Sequence, residues 1–431
     1  MISMKEVAAK MKMAAPELAV SSCEQRNKAL EAVKEALIAN QEAIFEANHK
    51  DMEAAEANGI ASAVMKRLKF NEGKLADVCN GIEQLLTLED PLGKISLARE
   101  LDEGLRLYRV SVPIGVIGII FEARPDALVQ ISSLCIKSGN CAILKGGKET
   151  ANTNKVLFDI IHKAVVEAGL PEYSLYQATQ HNEIDELLAC EKDVDLLIPR
   201  GSNQFVQYIM NNTKIPVMGH ADGVCHIYVD KDADVEKALS IIVDAKTQYT
   251  AACNAVETLL IHRDIAESFL PVLAKRLADV SVSVRGSKDA AEIIEASGVS
   301  CECMTEEEFH TEYLELTVSV KIVGSVEEAI SHINYFGSHH TDCIITENNE
   351  SAVIFMEMVD SAGVYQNCST RFADGFRYGF GAEVGISTSK LHARGPVGLE
   401  GMVTYKYKLY GDGHIVDDYA TGKRAFHFKN L

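Results

Sequence analysis

A chain of 431 residues exceeds the ~250–300 at which a single core stops growing, so two or more domains are expected. With 47% apolar and 24% charged residues the composition is that of a globular protein, and wholesale disorder is excluded. The formal charge of −20, from 42 basic against 62 acidic residues, repels phosphate backbones and anionic membrane surfaces, which sets aside nucleic acid and membranes as partners.

The longest apolar run, Val110 to Phe121, is broken by Ser111, Pro113 and two glycines and falls short of the ~20 residues that span a bilayer. Met1-Ile2-Ser3-Met4-Lys5-Glu6 has no basic flank leading into an apolar segment, so no export signal is expected and the expected compartment is cytoplasmic. Eleven cysteines, odd in number and irregularly spaced, fit reduced thiols.

Residues 1 to 90 read as helical, rich in Ala, Glu, Lys and Met, with a capping box at Ser22-Cys23-Glu24-Gln25 opening a periodic stretch through Ile38. From Leu105 the pattern turns to alternation and then to the buried-type run Gly115 to Phe121, where strands begin. Short apolar strand, polar turn and amphipathic helix then repeat, the signature of a parallel sheet covered by helices. Strand 116–121 leads to helix 127–137, strand 141–145 to helix 152–168, and strand 194–198 to helix 204–211, which together predict a doubly wound cofactor-type domain. Helix 235–247 runs into Gln248-Tyr249-Thr250-Ala251-Ala252-Cys253-Asn254 and strand 255–261, and a second α/β domain continues to about residue 365. Residues 401–410 alternate polar and apolar, as an edge strand seeking a partner does.

Cys253 stands where a polar loop meets an apolar strand, between small residues that let a carbonyl approach the sulfur. A thiolate there needs positive potential or backbone amides to form below the free pKa of ~8.5. On spacing alone a buried structural thiol is the commoner reading. Gly146-Gly147-Lys148 after a strand and Gly201-Ser202 before a helix are places where backbone N–H groups can hold phosphate. Neither matches Gly-x-Gly-x-x-Gly, and ordinary βα turns look the same. Lys145 and Lys148 add charge suited to a ribose 2′-phosphate, against the plainer reading of solvated lysines. Arg124, in Glu122-Ala123-Arg124-Pro125-Asp126, follows a strand's carboxyl end, where it suits an anion or oxyanion. Asp126 is the natural helix cap. Arg371 and Arg394 lie on further loops and suit an anionic substrate, with surface ion pairs the bland alternative. Cys301-Glu302-Cys303 and His339-His340 have no companion ligands at metal spacing, so no metal is assigned.

Taken together and in order, several segments resemble one family, the γ-glutamyl phosphate reductases (glutamate-5-semialdehyde dehydrogenases) of the aldehyde dehydrogenase superfamily. They are residues 112–118, Phe121-Glu122-Ala123-Arg124-Pro125-Asp126, Lys137-Ser138-Gly139-Asn140, Leu144-Lys145-Gly146-Gly147, Ile198-Pro199-Arg200-Gly201, Ala252-Cys253-Asn254-Ala255, 380–388 and 391–399. The likeness spans essentially the whole chain. It implies an α/β, aldehyde dehydrogenase-like fold with a Rossmann-type cofactor domain (1–98 and 113–226), an α/β catalytic domain (227–394) and a small β oligomerisation flap (99–112 and 395–431). It also implies an NADPH-dependent oxidoreductase of proline biosynthesis that reduces L-glutamyl 5-phosphate to L-glutamate 5-semialdehyde through a thioester on Cys253. Asn254 and Arg124 then belong to the catalytic set. Lys145, Gly146, Gly147, Lys148, Arg200, Gly201, Ser202 and Glu312 would meet the cofactor. A homo-oligomer is the implied assembly; the sequence is silent on a partnership with glutamate 5-kinase, which the lability of the acyl phosphate would favour.

Two departures stand out. The family's Arg-Pro pair is usually followed by asparagine, where this chain has Asp126. Hydrolytic aldehyde dehydrogenases carry a water-activating glutamate, whereas Gly219-His220-Ala221-Asp222-Gly223 has His220 at that place. Loss of that glutamate suits reduction of an acyl phosphate, because water at the thioester would waste the activated acyl group. The rival expectations are an NAD-dependent dehydrogenase that makes a free acid and a catalytically silent nucleotide-binding relative.

Overall fold

The computed structural model describes residues 2–60, 62–180, 182–219, 222–380 and 383–431. It contains two compact units, one of Met1–Met218, Phe380–Gly385 and Val397–Leu431, the other of Gly219–Gly379 and Ile386–Pro396.

The first unit opens with helices α1 (Met4–Val20), α2 (Cys23–Ala39), α3 (Gln41–Ala57), α4 (Ser62–Leu68) and α5 (Glu72–Thr87). Ser22 caps α2 by accepting the Gln25 N–H, but the Gln25 side chain donates to the Gly169 carbonyl at 3.2 Å instead of returning to the cap. The expected capping box is therefore half formed, a tertiary contact having taken its second arm. Arg26 of α2, 1% exposed, clasps both Asp90 oxygens at 2.7 Å and donates to the Lys137 carbonyl at 3.1 Å. A buried guanidinium is tolerated when its donors are met in this way.

Strands β1 (Ile95–Asp102) and β2 (Leu105–Pro113) form a hairpin, and β3 (Val116–Phe121), α6 (Pro125–Lys137), β4 (Cys141–Gly146), α7 (Ala151–Glu167), β5 (Leu175–Ala178), α8 (Glu183–Leu188), β6 (Leu196–Arg200) and α9 (Asn203–Asn211) follow. The parallel sheet has order β5-β4-β3-β6. Every residue of β3 is buried, as the central position of a helix-covered parallel sheet requires. The entry to β3 needs glycine: Gly115 has φ +134°, and a Cβ there would lie 2.1 Å from Asp195, whose carboxylate accepts the Val116 N–H. The expected strand 194–198 begins instead at Leu196, because the Val194 N–H closes a turn onto Cys190.

The second unit runs β7 (Cys225–Val229), α10 (Val235–Thr247), β8 (Val256–His262), α11 (Arg263–Asp279), β9 (Ser283–Gly286), α12 (Lys288–Ala296), β10 (Cys301–Cys303), β11 (Thr317–Val323), α13 (Val326–Phe336), β12 (Thr341–Ile345), α14 (Asn349–Met358) and β13 (Gly363–Gln366). Its sheet is parallel throughout, in the order β10-β9-β11-β8-β7-β12-β13. Leu239, Ile242, Phe269, Leu270, Leu273 and Ile294 from α10 to α12 fill one face, and Ile330, Ile333 and Phe355 from α13 and α14 pack with Tyr228 and Leu260 on the other. Each such fully buried side chain contributes roughly 1.5–3 kcal/mol relative to exposure. The short pair β14 (Ile386–Ser387) and β15 (Gly395–Pro396) completes this unit.

The C-terminal segment adds β16 (Val403–Tyr410), α15 (Val416–Ala420) and β17 (Lys429–Asn430) to the first unit. Together with the hairpin they make an antiparallel sheet in the order β16-β2-β1-β17. No helix among the described residues is long and apolar enough to cross a membrane.

Candidate active site

In the second unit the chemistry collects at the amino ends of three neighbouring strands. Ala255 donates its N–H to the Ala252 carbonyl at 2.9 Å, so Cys253 and Asn254 are the central residues of a tight turn directly before β8. Asn254, 4% exposed, fastens that turn: its Nδ2 donates to the Ala373 carbonyl at 2.8 Å, and its own carbonyl accepts the Thr370 hydroxyl at 2.7 Å. The loop's two ends are clamped by a fully buried ion pair, Lys246 of α10 and Glu257 of β8, 2.6 Å apart. Burial pushes the Glu257 carboxyl up to about 7, against the pull of Lys246.

Before β7, Gly223 lies flat against the cysteine, where a Cβ would stand 2.1 Å from the Cys253 carbonyl oxygen and 2.5 Å from its Cα. The Cys225 thiol donates to the same carbonyl at 3.3 Å. Burial drives Cys225 far above the ordinary thiol range, so it remains a neutral donor.

Before β12, His340 is 1% exposed and places Nε2 3.2 Å from Cys253 Sγ. Its Nδ1 pairs with the Thr341 hydroxyl at 2.9 Å. The adjacent His339 sits at φ +58° and donates Nδ1–H to the Asp360 carbonyl at 2.7 Å. This backbone reversal sends consecutive imidazoles to different partners. His340 was set aside in the sequence because it offered no metal spacing, and among the described residues no metal cluster is found.

Arg371, 8% exposed, donates Nε to Gln248 Oε1 at 3.0 Å. Burial and Arg377 pull its pKa down, while charge on Cys253 acts in the opposite direction, which puts the guanidinium within electrostatic range of the sulfur. Arg394 is held on Asp360, 3.0 Å from the carbonyl and 3.1 Å from Oδ1. Glu312 lies in the loop before β11, where its charge adds to the upward shift of Glu257. His220, at the place of the hydrolytic glutamate, lies outside the described residues, as do Gly381 and Ala382 of the 380–388 motif.

The remaining expected residues gather in the first unit at the carboxyl edge of its parallel sheet. Phe121 pairs in register with Gly146 on one side and Arg200 on the other, and the strand order reverses at β3, the place where such sheets hold ligands. Arg124 is the N-cap of α6, without a side-chain cap bond. Asp126 in the first turn of α6 pairs with Lys74 at 3.1 Å, so this departure from the family pattern is absorbed by an ion pair. Glu122, raised by burial, accepts the Ser202 N–H at 3.3 Å. A Cβ on Gly201 would meet Glu122 at 2.6 Å and Phe205 at 2.9 Å, and one on Gly147 would meet Glu149 at 2.0 Å. Lys145, 7% exposed, turns Nζ to the Gly146 carbonyl at 3.3 Å. Burial lowers its pKa, with Glu183 and Glu149 opposing. Lys148 is exposed at the start of a short 3₁₀ turn.

The model of the aldehyde dehydrogenase family matches residues 3–293. The γ-glutamyl phosphate reductase of Acetivibrio thermocellus is 54% identical over 425 residues, 99% of this chain and 97% of the relative. That of Pelotomaculum thermopropionicum is 53% identical over 430 residues, 100% of this chain and 98% of the relative. Among solved structures, the γ-glutamyl phosphate reductase of Thermotoga maritima superposes with a TM-score of 0.92 at 38% identity, covering 96% of this chain and 100% of that one. With relatives this similar along its full length, the chain is an oxidoreductase of the aldehyde dehydrogenase family and belongs among its γ-glutamyl phosphate reductases.

Proposed function

We propose that the chain reduces L-glutamyl 5-phosphate to L-glutamate 5-semialdehyde and phosphate with NADPH, through a thioester on Cys253. The observation that carries the thioester is the Ala252–Ala255 turn, which holds a partly exposed thiol between small residues while Asn254 and Gly223 fix its backbone. The Cys253 thiolate attacks the acyl carbonyl and phosphate leaves, a far better leaving group than a thiolate. Backbone N–H groups of the turn stabilise the oxyanion, and the Arg371 guanidinium balances negative charge at the sulfur.

The carboxyl edge of the first unit fits a dinucleotide. Gly147 and Gly201 let the Glu149 and Glu122 carboxylates lie close to the backbone, the Ser202 hydroxyl makes no cap bond to α9, and a helix amino end with glycine before it suits a pyrophosphate. Arg200, Gly201 and Ser202 would hold the phosphates, Lys145, Gly146, Gly147 and Lys148 the adenosine ribose, and Glu312 the nicotinamide ribose. When bound, the cofactor supplies the hydride that reduces the thioester carbonyl. Cys253 then departs as thiolate and releases the aldehyde. We assign recognition of the NADPH 2′-phosphate to Lys145 and Lys148.

We assign residues 1–98 and 113–226 to cofactor binding, 227–394 to catalysis and 99–112 with 395–431 to assembly of a homo-oligomer. The assembly role is supported by β16, an edge strand exposing Tyr405, Tyr407, Leu409 and Tyr410 at 55–57%. The eleven free thiols support a reducing, cytoplasmic setting. A labile acyl phosphate favours transfer directly from glutamate 5-kinase. A pull-down of the two enzymes, together with trapping of released acyl phosphate, tests this: unhindered release excludes channelling.

The direct test of the reaction is NADP⁺ reduction by purified protein with glutamate 5-semialdehyde, with and without phosphate. Turnover that requires phosphate or arsenate supports the acyl-phosphate chemistry. Turnover indifferent to phosphate points to the hydrolytic dehydrogenase, and inactivity with either nicotinamide cofactor points to the silent relative.

A further inference from the structure

Nothing in the turn itself supplies the positive potential that a thiolate at Cys253 requires. The residue follows a loop and does not start a helix, so no helix amino end points at the sulfur. The imidazole of His340 occupies that role in space. Its Nε2 is 3.2 Å from Sγ, its Nδ1 is engaged by the Thr341 hydroxyl at 2.9 Å, and the ring is 1% exposed. Both ring nitrogens therefore have geometric assignments, and the ring is placed by the turn at His339 immediately before β12.

We propose that His340 is a catalytic residue that forms a proton-transferring dyad with Cys253. The inference rests on the acyl-phosphate reading above. His340 Nε2 takes the proton from Sγ–H and leaves a thiolate paired with an imidazolium. As Sγ bonds to the acyl carbon and the carbon–oxygen bond to phosphate breaks, the imidazolium returns that proton to the departing phosphate oxygen. Thiol plus acyl phosphate thus yields thioester plus hydrogen phosphate, with the proton carried by one nitrogen and no further co-reactant. After hydride addition the thiolate is expelled beside the now neutral imidazole, and one proton taken up from water restores the starting pair.

The groups facing the dyad set its electrostatics. Arg371 favours the thiolate. Cys225 is a neutral donor to the Cys253 carbonyl. Thr341 holds Nδ1. Asp342, the next residue on β12, is occupied by the His226 N–H and Nδ1 and by the Ser361 hydroxyl. His339 is directed to Asp360. An imidazole thus faces the sulfur, while this carboxylate is met by other donors.

The test uses no substrate: the rate of Cys253 alkylation by iodoacetamide is followed against pH by peptide mass spectrometry, in the native protein and in His340→Ala and His340→Asn. The native rate should level off with a midpoint well below the ~8.5 of a free thiol, and both variants should return the midpoint towards that value. In the phosphate-dependent assay His340→Ala should lose about 10²–10⁴-fold in kcat, with partial recovery on adding imidazole, which a merely structural role would not give. A native midpoint near that of a free thiol, or unchanged profiles in folded variants, overturns the dyad. If the variants fail to fold, the native midpoint alone decides, read also as the thiolate absorbance that disappears in Cys253→Ser. Phosphate-independent turnover by the native protein would instead sink the acyl-phosphate reading while leaving the alkylation result intact.

Discussion

Replacing Gly223 by alanine tests how tightly Cys253, the proposed nucleophile, is tied to the strand beside it. The added Cβ would sit 2.1 Å from the Cys253 carbonyl oxygen and 2.5 Å from its Cα, and such contacts do not persist below about 3.0 Å. Both obstructing atoms are backbone, so no side chain can swing away and the turn itself must retreat by about 1 Å. A displacement of about 1 Å at a reacting group costs about 10²-fold in rate, equivalent to about 2.7 kcal/mol of barrier. The overpacking itself should cost about 1–3 kcal/mol of stability, or a few degrees in the melting of the second unit. Gly223→Ala should therefore stay folded at 25 °C, with kcat in the phosphate-dependent reverse reaction down about 100-fold and KM for NADP⁺ nearly unchanged. Circular dichroism and thermal melting run beside the kinetics separate misplacement from unfolding. A variant with native kcat and native melting temperature would refute the claim that the Gly223 backbone seats the cysteine.

Cys253→Ser should abolish phosphate-dependent turnover while NADP⁺ binding, followed by fluorescence quenching, persists; residual turnover at the native rate would remove the cysteine from the mechanism. Lys246→Met or Glu257→Gln alone should destabilise the second unit by about 3–5 kcal/mol, because each leaves a buried partner unmatched, whereas Lys246→Met/Glu257→Met should recover most of it. Urea melts of the three variants check this, and equal losses in all three would contradict it. Lys145→Met should raise KM for NADPH more than KM for NADH, and equal changes would move the lysine off the 2′-phosphate. The Asp102 carboxyl is lowered to about 2, first by His427 and then by the Glu103 N–H and the Tyr419 hydroxyl. A depressed carboxyl contributes stability above its ordinary value of 3.8 and loses it as pH falls towards about 2. Hydrogen exchange at Lys429 and Asn430 should accelerate over that window beyond the intrinsic rate in the native chain but not in Asp102→Asn, and identical profiles would exclude the linkage.

Much of the fold was legible because its strands are covered on both faces. Continuous apolar runs such as Val116–Phe121, bounded by Gly115 and Glu122, admit little besides a buried parallel strand. Boundaries moved where a long-range contact won over a local one. Gln25 left its capping box for Gly169, and Val194 went into a turn while Asp195 was drawn to the entrance of β3.

The candidate site divided along the same line. The edge proposed for the cofactor stood out in the sequence because its residues follow strands directly, so Gly146-Gly147, Arg200-Gly201 and Glu122-Ala123-Arg124 each carry their own local signal. Cys253 was visible through small neighbours and through resemblance. His340 was not, since 87 residues and four intervening strands separate it from the cysteine, and a histidine pair in isolation suggests only a failed metal motif. What joins them is topology: β8, β7 and β12 are neighbours in a parallel sheet, so the residues preceding each strand converge at one amino edge. Gly223 precedes β7, Cys253 and Asn254 precede β8, and His340 precedes β12, and all three strands are buried along their whole length. A polar, thiol or glycine residue within three positions of the start of a fully buried strand is therefore the local mark these positions share. Searching for it, in place of metal spacings, would have set His340 beside Cys253 as soon as the strand order was known.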